Sequence, residues 1–340
     1  MKRFFVLIFT LCVLLAGCTP SAAPKQKQYT ATFLNLFDTV TTIKGYAATE
    51  EEFSQISQAI HDELLAYHQL FDIYNDYEGI NNIKTINDQA GIAPVTVDSA
   101  IIELLLDCKE FYELTGGKVN AAMGSILRLW HDARSDGVRD PANAYLPDAS
   151  ALAQAATHIS FDNVIIDEAL STVYISDPET SLDLGAIAKG WATQKVAAKA
   201  PDAMLISVGG NVYATGPKDQ DGTPWVIGIQ NPDSSDYVHS IYVKSGAVVT
   251  SGDYQRTYMV GGEKYHHIID PDTQMPSAYW RSVTVVCPDS GLADALSTAL
   301  FLLPLEEGKA LAERCGAEIL WINANGDEFM TPGFRDIIRT

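Results

Sequence analysis

Three short segments between Val248 and Thr298 carry side chains suited to one kind of chemistry: Thr250-Ser251-Gly252-Asp253-Tyr254, His266-His267-Ile268-Ile269-Asp270-Pro271 and Ala293-Asp294-Ala295-Leu296-Ser297-Thr298. A hydroxyl-rich turn, an imidazole beside a carboxylate, and a carboxylate one helical turn before a hydroxyl are the parts needed to handle a phosphate ester with a metal ion. On a helix, Asp294 and Thr298 stand at i and i+4 and project from one face, so two oxygens can meet one cation. Magnesium favours such hard ligands, often one or two from the protein, with substrate phosphates and water completing the shell. The competing reading makes Asp294 a helix cap and bonds the Thr298 hydroxyl back to the backbone.

His266 and His267 are adjacent, so in a strand they point to opposite faces and only one can line a cleft. A histidine there can accept a proton near neutral pH, or serve as a hydrogen-bonded core residue. Asp270 precedes Pro271 and so sits in an extended or turn setting, where it either orients the imidazole or serves the turn. In Leu182-Asp183-Leu184-Gly185-Ala186-Ile187-Ala188-Lys189-Gly190 the small residues would let a ligand approach the backbone. Asp183 could then accept hydrogen bonds from it and Lys189 could meet a phosphate. Otherwise Asp183 is a helix N-cap and Lys189 a snorkelling surface lysine. The paired glycines of Ser207-Val208-Gly209-Gly210-Asn211 fit a tight strand connection. Lys189 lacks the P-loop spacing and the following hydroxyl, no G-x-G-x-x-G follows a strand, and the histidines are not in H-E-x-x-H order, so those phosphate and zinc sites are excluded.

The elements that must position these groups can be read from periodicity. Tyr29 to Tyr46 is strand-like, and Thr49 with Glu52 makes a capping-box start for a helix with Phe53, Ile56, Ile60 and Leu64 at helical spacing. A second helix runs from about Ser99 to Thr115, with Ile101, Leu104, Leu105, Cys108 and Phe111 inward and Gly116-Gly117 as its stop. Between about Val164 and Ile269 short β-rich runs dominate, with a helix from about Ala186 to Ala200 and a Gly261-Gly262 hairpin signal. The tail reads as strand Val283 to Cys287, helices Leu292 to Leu303 and Glu306 to Arg314, strand Glu318 to Ile322 and an Asn325-Gly326 turn. Helices and antiparallel strands interleave without a sustained βαβ rhythm and without a repeat, so the fold class expected is α+β, one catalytic unit with two lobes.

At the N-terminus Lys2-Arg3 precede an apolar run, Phe4 to Leu15, of about a dozen residues, which suits a signal peptide and is too short to span a bilayer. Leu15-Ala16-Gly17-Cys18 resembles a bacterial lipobox, so residues 1–17 are expected to be cleaved and the Cys18 thiol acylated. Residues 18–28 read as a lipidated tether and 29–340 as the folded domain, which lies outside the cytoplasmic membrane. The mature chain of about 320 residues is long enough for a large core. A formal net charge of −20 argues against nucleic acid and against a polybasic membrane patch, and leaves lipid as the anchor. A phosphate ligand must therefore be held by local donors or a cation. Cys108, Cys287 and Cys315 are far apart, odd in number and without a C-x-x-C pair, which excludes a complete disulfide framework; they read as buried small hydrophobes.

These ordered segments, with Phe37-Asp38-Thr39, Tyr74 in Asp72-Ile73-Tyr74 and Thr115-Gly116-Gly117-Lys118-Val119-Asn120, resemble the ApbE family of FAD:protein FMN transferases, often lipoproteins, over nearly the whole mature chain. The resemblance implies a T-fold-like α+β architecture with FAD between two lobes. Phe37 and Tyr74 would lie near its aromatic groups, Lys118, Val119 and Asn120 along it, with Asp183, Lys189 and the Ile269 backbone as further contacts. Mg2+ would be held by the Ala186 carbonyl, Asp294 and Thr298. FMN would pass from FAD to a threonine hydroxyl of an acceptor flavoprotein, such as a membrane electron-transfer subunit, releasing AMP. His267 is the candidate base, oriented by Asp270. The chain departs from the family pattern at Asn120, where an acidic residue is common, at Phe37, where methionine is frequent, and at Gln274, where glycine is usual. The alternatives are a magnesium-dependent FAD pyrophosphatase yielding FMN and AMP, and a catalytically idle FAD-binding lipoprotein.

Overall fold

The computed structural model describes residues 26–340, so the signal-like segment and Cys18 lie outside the described residues. The chain opens with β1 (Lys27–Leu36) and β2 (Thr39–Ala47), joined through Phe37 and Asp38, both at φ +53°. Two consecutive left-handed residues match the twist of a two-residue hairpin, and at Phe37 the conformation is strained because a side chain crowds the backbone there. β1 thus begins two residues inside the stretch read as tether. α1 (Glu50–Phe71) is capped by the Thr49 hydroxyl, which accepts from the Glu52 amide at 3.1 Å. The Glu52 carboxylate reaches the Ala48 amide, one residue earlier than a full capping box requires.

Then follow α2 (Ile83–Asp88), β3 (Val95–Thr96) and α3 (Ser99–Leu114), whose inward residues are the ones its periodicity selects. Gly116 and Gly117, at φ +61° and +83°, end α3 and turn Lys118 to Asn120 toward the interior. α4 (Gly124–Arg139) and α5 (Ala149–Ala155) come next, helices that the sequence reading did not pick out. They precede β4 (Val164–Asp167), β5 (Thr172–Ile175) and α6 (Ala188–Ala197). The second half adds β6 (Met204–Val208), β7 (Asn211–Ala214), β8 (Trp225–Gln230), β9 (Tyr237–Val243) and β10 (Gly246–Gly252). β11 (Thr257–Val260) and β12 (Glu263–His266) form a hairpin about Gly261-Gly262. β13 (Ser282–Cys287), α7 (Ser290–Phe301), α8 (Leu305–Cys315), β14 (Glu318–Ile322), β15 (Glu328–Met330) and α9 (Pro332–Asp336) complete the chain.

The α+β class is what the structure has. An antiparallel eight-stranded sheet runs in the order β1-β2-β6-β7-β10-β13-β14-β15. Strand alternation sends Ala247, Val249, Val283, Val285, Ile319 and Trp321 to one core and Val248, Leu320 and Ile322 to another, as the two-residue period requires. The first face is covered by helices including α6 and α7; the second is closed by the β8–β9 ribbon and Phe334 of α9. A smaller core joins α4, α5 and the β11–β12 hairpin through Ile126, Trp130, Leu152 and Tyr258. A cavity opens between that smaller unit and the α6–α7 side of the sheet.

The α6–α7 contact is set by Gly190. A Cβ at this position would lie 2.2 Å from the Ser290 carbonyl oxygen and 2.4 Å from the Asp294 Cβ. Backbone cannot move aside as a flexible side chain can, so Gly190→Ala is expected to destabilise the fold by about 1–3 kcal/mol, the usual cost of overpacking. Urea unfolding of wild type and variant measures this; equal midpoints and slopes would show that the helices have room to part.

Candidate active site

A cavity of about 320 Å³ lies beside the N-terminus of α6. Its floor is organised by Asp294, only 4% exposed, in the second turn of α7. One carboxylate oxygen, Oδ2, accepts from the Gly190 amide and from Asn211 Nδ2, both at 2.8 Å, with Lys189 Nζ at 3.6 Å. Gly190 lies in the first turn of α6, whose preceding residue Ile187 supplies no side-chain cap. Asp294 therefore satisfies an orphan amide of a neighbouring helix, where the helix dipole favours negative charge. It does not cap its own helix, because Asp289 does that by accepting from the Leu292 amide. Burial pushes the Asp294 carboxyl up from the ordinary aspartate value, partly offset by Lys189, the Gly190 amide and Asn211.

The other oxygen, Oδ1, accepts no hydrogen bond among the described residues, and neither the Thr298 hydroxyl nor the Ala186 carbonyl has a partner there. All three residues line the cavity. One carboxylate, one hydroxyl and one carbonyl make a hard-oxygen donor set that fits a magnesium ion sharing its shell with phosphates and water. Among the described residues no three histidine, cysteine or acidic side chains are grouped so that they could hold a metal ion, and such a donor set does not need them.

The two histidines differ. His266 bonds the Ser277 carbonyl through Nε2 at 2.8 Å and receives the Ile268 amide at Nδ1 at 3.2 Å, which makes it a neutral structural residue. His267 borders the cavity with its Nδ1 buried and unpartnered. Burial, and then the nearby cations Arg256, Lys189 and Arg134 together with His266, lowers its pKa to about 3.

Asp270 does not orient His267, contrary to the expectation from their proximity in sequence. Its Oδ1 accepts from Lys118 Nζ at 2.9 Å and from the Asp272 amide at 3.0 Å. Lys118 also reaches Asp272 at 2.7 Å, and although burial works against its charge, the two carboxylates hold its pKa up. The pair ties the segment after α3 to the loop after β12 at the cavity edge. Gln274 in that loop adopts φ +56°, the conformation that the usual glycine would take without strain, and its carbonyl accepts from Trp130 Nε1 at 2.8 Å.

Of the remaining expected contacts, Tyr74, Val119, Asn120, Asp183, Lys189 and Ile269 line the cavity. Asp183 is not a helix cap: it accepts the Gly185 amide at 2.9 Å, and burial pushes its carboxyl up. Lys189 turns inward to the Gly185 carbonyl at 2.9 Å instead of snorkelling to the surface. Asn120 spends its amide on the Ile159 carbonyl and the Ala122 amide. Phe37 is off the cavity wall, edge-on to His68, and leaves its neighbours Asp38 and Thr39 there. The hydroxyls of Thr250 and Ser251 belong to the end of strand β10, not to a turn, and pair with Thr284 at 2.9 Å and Ser297 at 2.8 Å. Asp253 forms ion pairs with Lys264 at 3.0 Å and Arg281 at 2.8 Å.

The wall that sequence reasoning missed is α4. Leu127, Trp130, His131 and Arg134 line the cavity at i, i+3, i+4 and i+7, one helical face. The available signal was the buried face, Ile126, Trp130, Ala133 and Gly137, which recurs at the same period.

The profile of the ApbE family matches residues 37–321. A FAD:protein FMN transferase of Treponema pallidum (strain Nichols) is 30% identical over 349 aligned residues, covering 97% of this chain and 94% of that protein. Another, of Klebsiella pneumoniae (strain 342), is 32% identical over 281 residues, covering 78% of this chain and 84% of that one. Among solved structures, the ApbE protein of Thermotoga maritima superposes with a TM-score of 0.81 at 30% identity, covering 92% of this chain and all of that one (100%). The flavin transferase ApbE of Vibrio cholerae shares the fold, with a TM-score of 0.75 at 24% identity.

The buried imidazole generates a pH dependence with a defined sign. His267 stays neutral in the folded state down to about pH 3, whereas the unfolded chain takes up its proton below about 6.5. Its contribution to stability is therefore complete above about pH 6.5 and is lost progressively as pH falls toward 3. Unfolding free energies of wild type and His267→Asn at pH 7.5 and 5.0 should shift relative to each other by about 2 kcal/mol in favour of the variant at the lower pH. A difference that does not move with pH would show that the imidazole is not held neutral.

Proposed function

We infer that this chain, which belongs to the ApbE family, transfers FMN from FAD to a threonine hydroxyl of an acceptor flavoprotein. The observation that carries the reading is the meeting, in one cavity, of a buried, unpartnered imidazole nitrogen with a carboxylate that keeps one oxygen unused. Binding FAD alone would need neither.

In this reading FAD lies against Tyr74 and the Lys118 to Asn120 segment, with its diphosphate toward Lys189 and the α6 N-terminus, a setting that favours anions. Asp294 Oδ1, the Thr298 hydroxyl and the Ala186 carbonyl would hold Mg2+. When bound, the ion supplies Lewis-acid polarisation of the diphosphate oxygens. His267 Nδ1 accepts the proton of the acceptor hydroxyl as its oxygen bonds to the FMN phosphorus, the bond from that phosphorus to the AMP oxygen breaks, and AMP leaves with its phosphate. Burial, and then the cations around His267, keep the imidazole unprotonated before substrate binds, and an anionic diphosphate among those cations raises its basicity when it is needed. Asp294 and Gly190 hold the floor rigid while this occurs.

The domain is anchored outside the cytoplasmic membrane through acylated Cys18. Among the described residues no helix is long and apolar enough to cross a membrane. The interval from Cys18 to Lys27 spans at most about 30 Å, so the domain works close to the bilayer and suits a membrane-bound acceptor.

Incubating the chain with FAD, Mg2+ and a flavoprotein acceptor should add the mass of FMN to the acceptor and release AMP. Asp294→Asn should lower transfer by more than roughly 100-fold, and His267→Asn by about 10²–10⁴-fold with FAD still bound. Free FMN and AMP with an unmodified acceptor would replace transfer by hydrolysis, and intact FAD would leave storage alone. Metabolic labelling with a radioactive fatty acid should mark the wild-type chain, and Cys18→Ser should abolish the label and release the protein into the soluble fraction. Membrane retention of the unlabelled variant would refute the anchor.

A further inference from the structure

Two cations on the cavity wall have no carboxylate in contact, in a chain whose net charge is −20. Arg134 comes from α4 and Arg256 from the connection between β10 and β11, and both line the cavity. Neither has a carboxylate within 4.0 Å among the described residues, and the one polar contact at either guanidinium is Arg134 Nη2 to His131 Nδ1 at 3.4 Å. Arg281 shows how the chain treats a guanidinium with a structural duty: Asp253 lies at 2.8 Å and Asp233 at 2.9 Å. Lys118 is likewise matched by two carboxylates, and Lys189 by a carbonyl. Arg134 is half-buried and Arg256 exposed, and a half-buried guanidinium left near a second positive charge costs stability unless a ligand repays it.

The two positive charges face one region. Both act on Tyr74 and on His267, the aromatic wall and the imidazole, and Arg256 also acts on the buried carboxyl of Asp183 without touching it. Burial, and then Arg256, depresses the pKa of Arg134. A neutral flavin ring requires no cation there. A diphosphate carries two negative charges and a pair of non-bridging oxygens on each phosphorus, which guanidinium forks match.

We propose that Arg134 and Arg256 form a guanidinium clamp that binds the diphosphate of the dinucleotide and neutralises the charge that builds on the departing AMP phosphate. The clamp rests on the flavin-transfer reading for its substrate, and its chemistry is that of the diphosphate whichever acceptor is used.

Binding in magnesium-free buffer with chelator isolates the clamp from the metal. Flavin fluorescence would follow titration of FAD and of riboflavin, which lacks phosphate, with ADP as a competitor of FAD. The proteins compared are wild type, Arg134→Gln, Arg256→Gln and the double variant. Each single change should weaken FAD and ADP by roughly 10-fold or more while riboflavin stays within about twofold. FAD affinity in wild type should also fall more steeply with salt than in the double variant. Arg134→Lys should lie between, because it keeps the charge and loses the fork. Thermal melting of Arg134→Gln without ligand should be unchanged or higher, since a repulsion with no contacting counterion is removed. A double variant that binds FAD as wild type does, or that loses riboflavin in equal measure, overturns the clamp, and so does a wild type that binds neither FAD nor ADP. A wild type that binds FAD through both arginines yet leaves every acceptor unmodified supports the clamp and refutes only the transferase reading.

Discussion

The buried carboxylate of Asp294 is the interaction around which the site is built. An aspartate 4% exposed is tolerable only where its charge is compensated and its oxygens are satisfied. Here Oδ2 is compensated by the Gly190 amide, Asn211 and the more distant Lys189. That arrangement joins α7, the first turn of α6 and strand β7 at one point. It also explains why residue 190 has no side chain, since any Cβ would separate the two helices. With three groups on one oxygen, the other remains for something that is not protein. The same helix sets Thr298 one turn further along the same face, so the geometry that stabilises α6 also prepares an oxygen site.

Charge is distributed against the average of the chain. The molecule is strongly acidic overall, yet the cavity sets Arg134, Arg256, Lys189 and Lys118 beside the carboxylates of Asp38, Asp183 and Asp294. Local sign governs binding and long-range sign governs encounter, so an anionic dinucleotide meets two guanidinium groups with no carboxylate in contact, inside an acidic particle. The cations have a second effect, because they add to the burial that holds His267 neutral. A neutral imidazole with an unpartnered nitrogen can take up a proton, and an anion among the cations increases its tendency to do so.

Regular features of the fold were legible because their signals are local. Periodic apolar residues located α1 and α3, and Gly261-Gly262 marked the β11–β12 turn. The i, i+4 relation of Asp294 and Thr298 needed only a helix to become a shared face. What escaped depended on partners distant in sequence. Asp270 lies three residues from His267 but spends its carboxylate on Lys118, 152 positions away. Thr250 and Ser251 looked like a reactive pair and are absorbed by Thr284 and Ser297 across packed elements. Arg134 could be recognised only with α4 in place, and the polar residues Arg128, His131 and Asp132 diluted that helix's apolar pattern. Arg256 gave no periodic signal because it lies in a connection, and its meaning comes from the carboxylate it lacks.

The claim that Asp294 reserves one oxygen for a divalent ion is open to direct observation. Crystals grown with FAD and Mn2+ in place of Mg2+, measured near the manganese absorption edge, report the ion by its anomalous scattering. The account predicts a peak bonded to Asp294 Oδ1, with the Thr298 hydroxyl, the Ala186 carbonyl and diphosphate oxygens around it, while Oδ2 keeps its bonds to Gly190 and Asn211. A fully occupied FAD site with no manganese at Asp294, or manganese bound by other side chains, would contradict it.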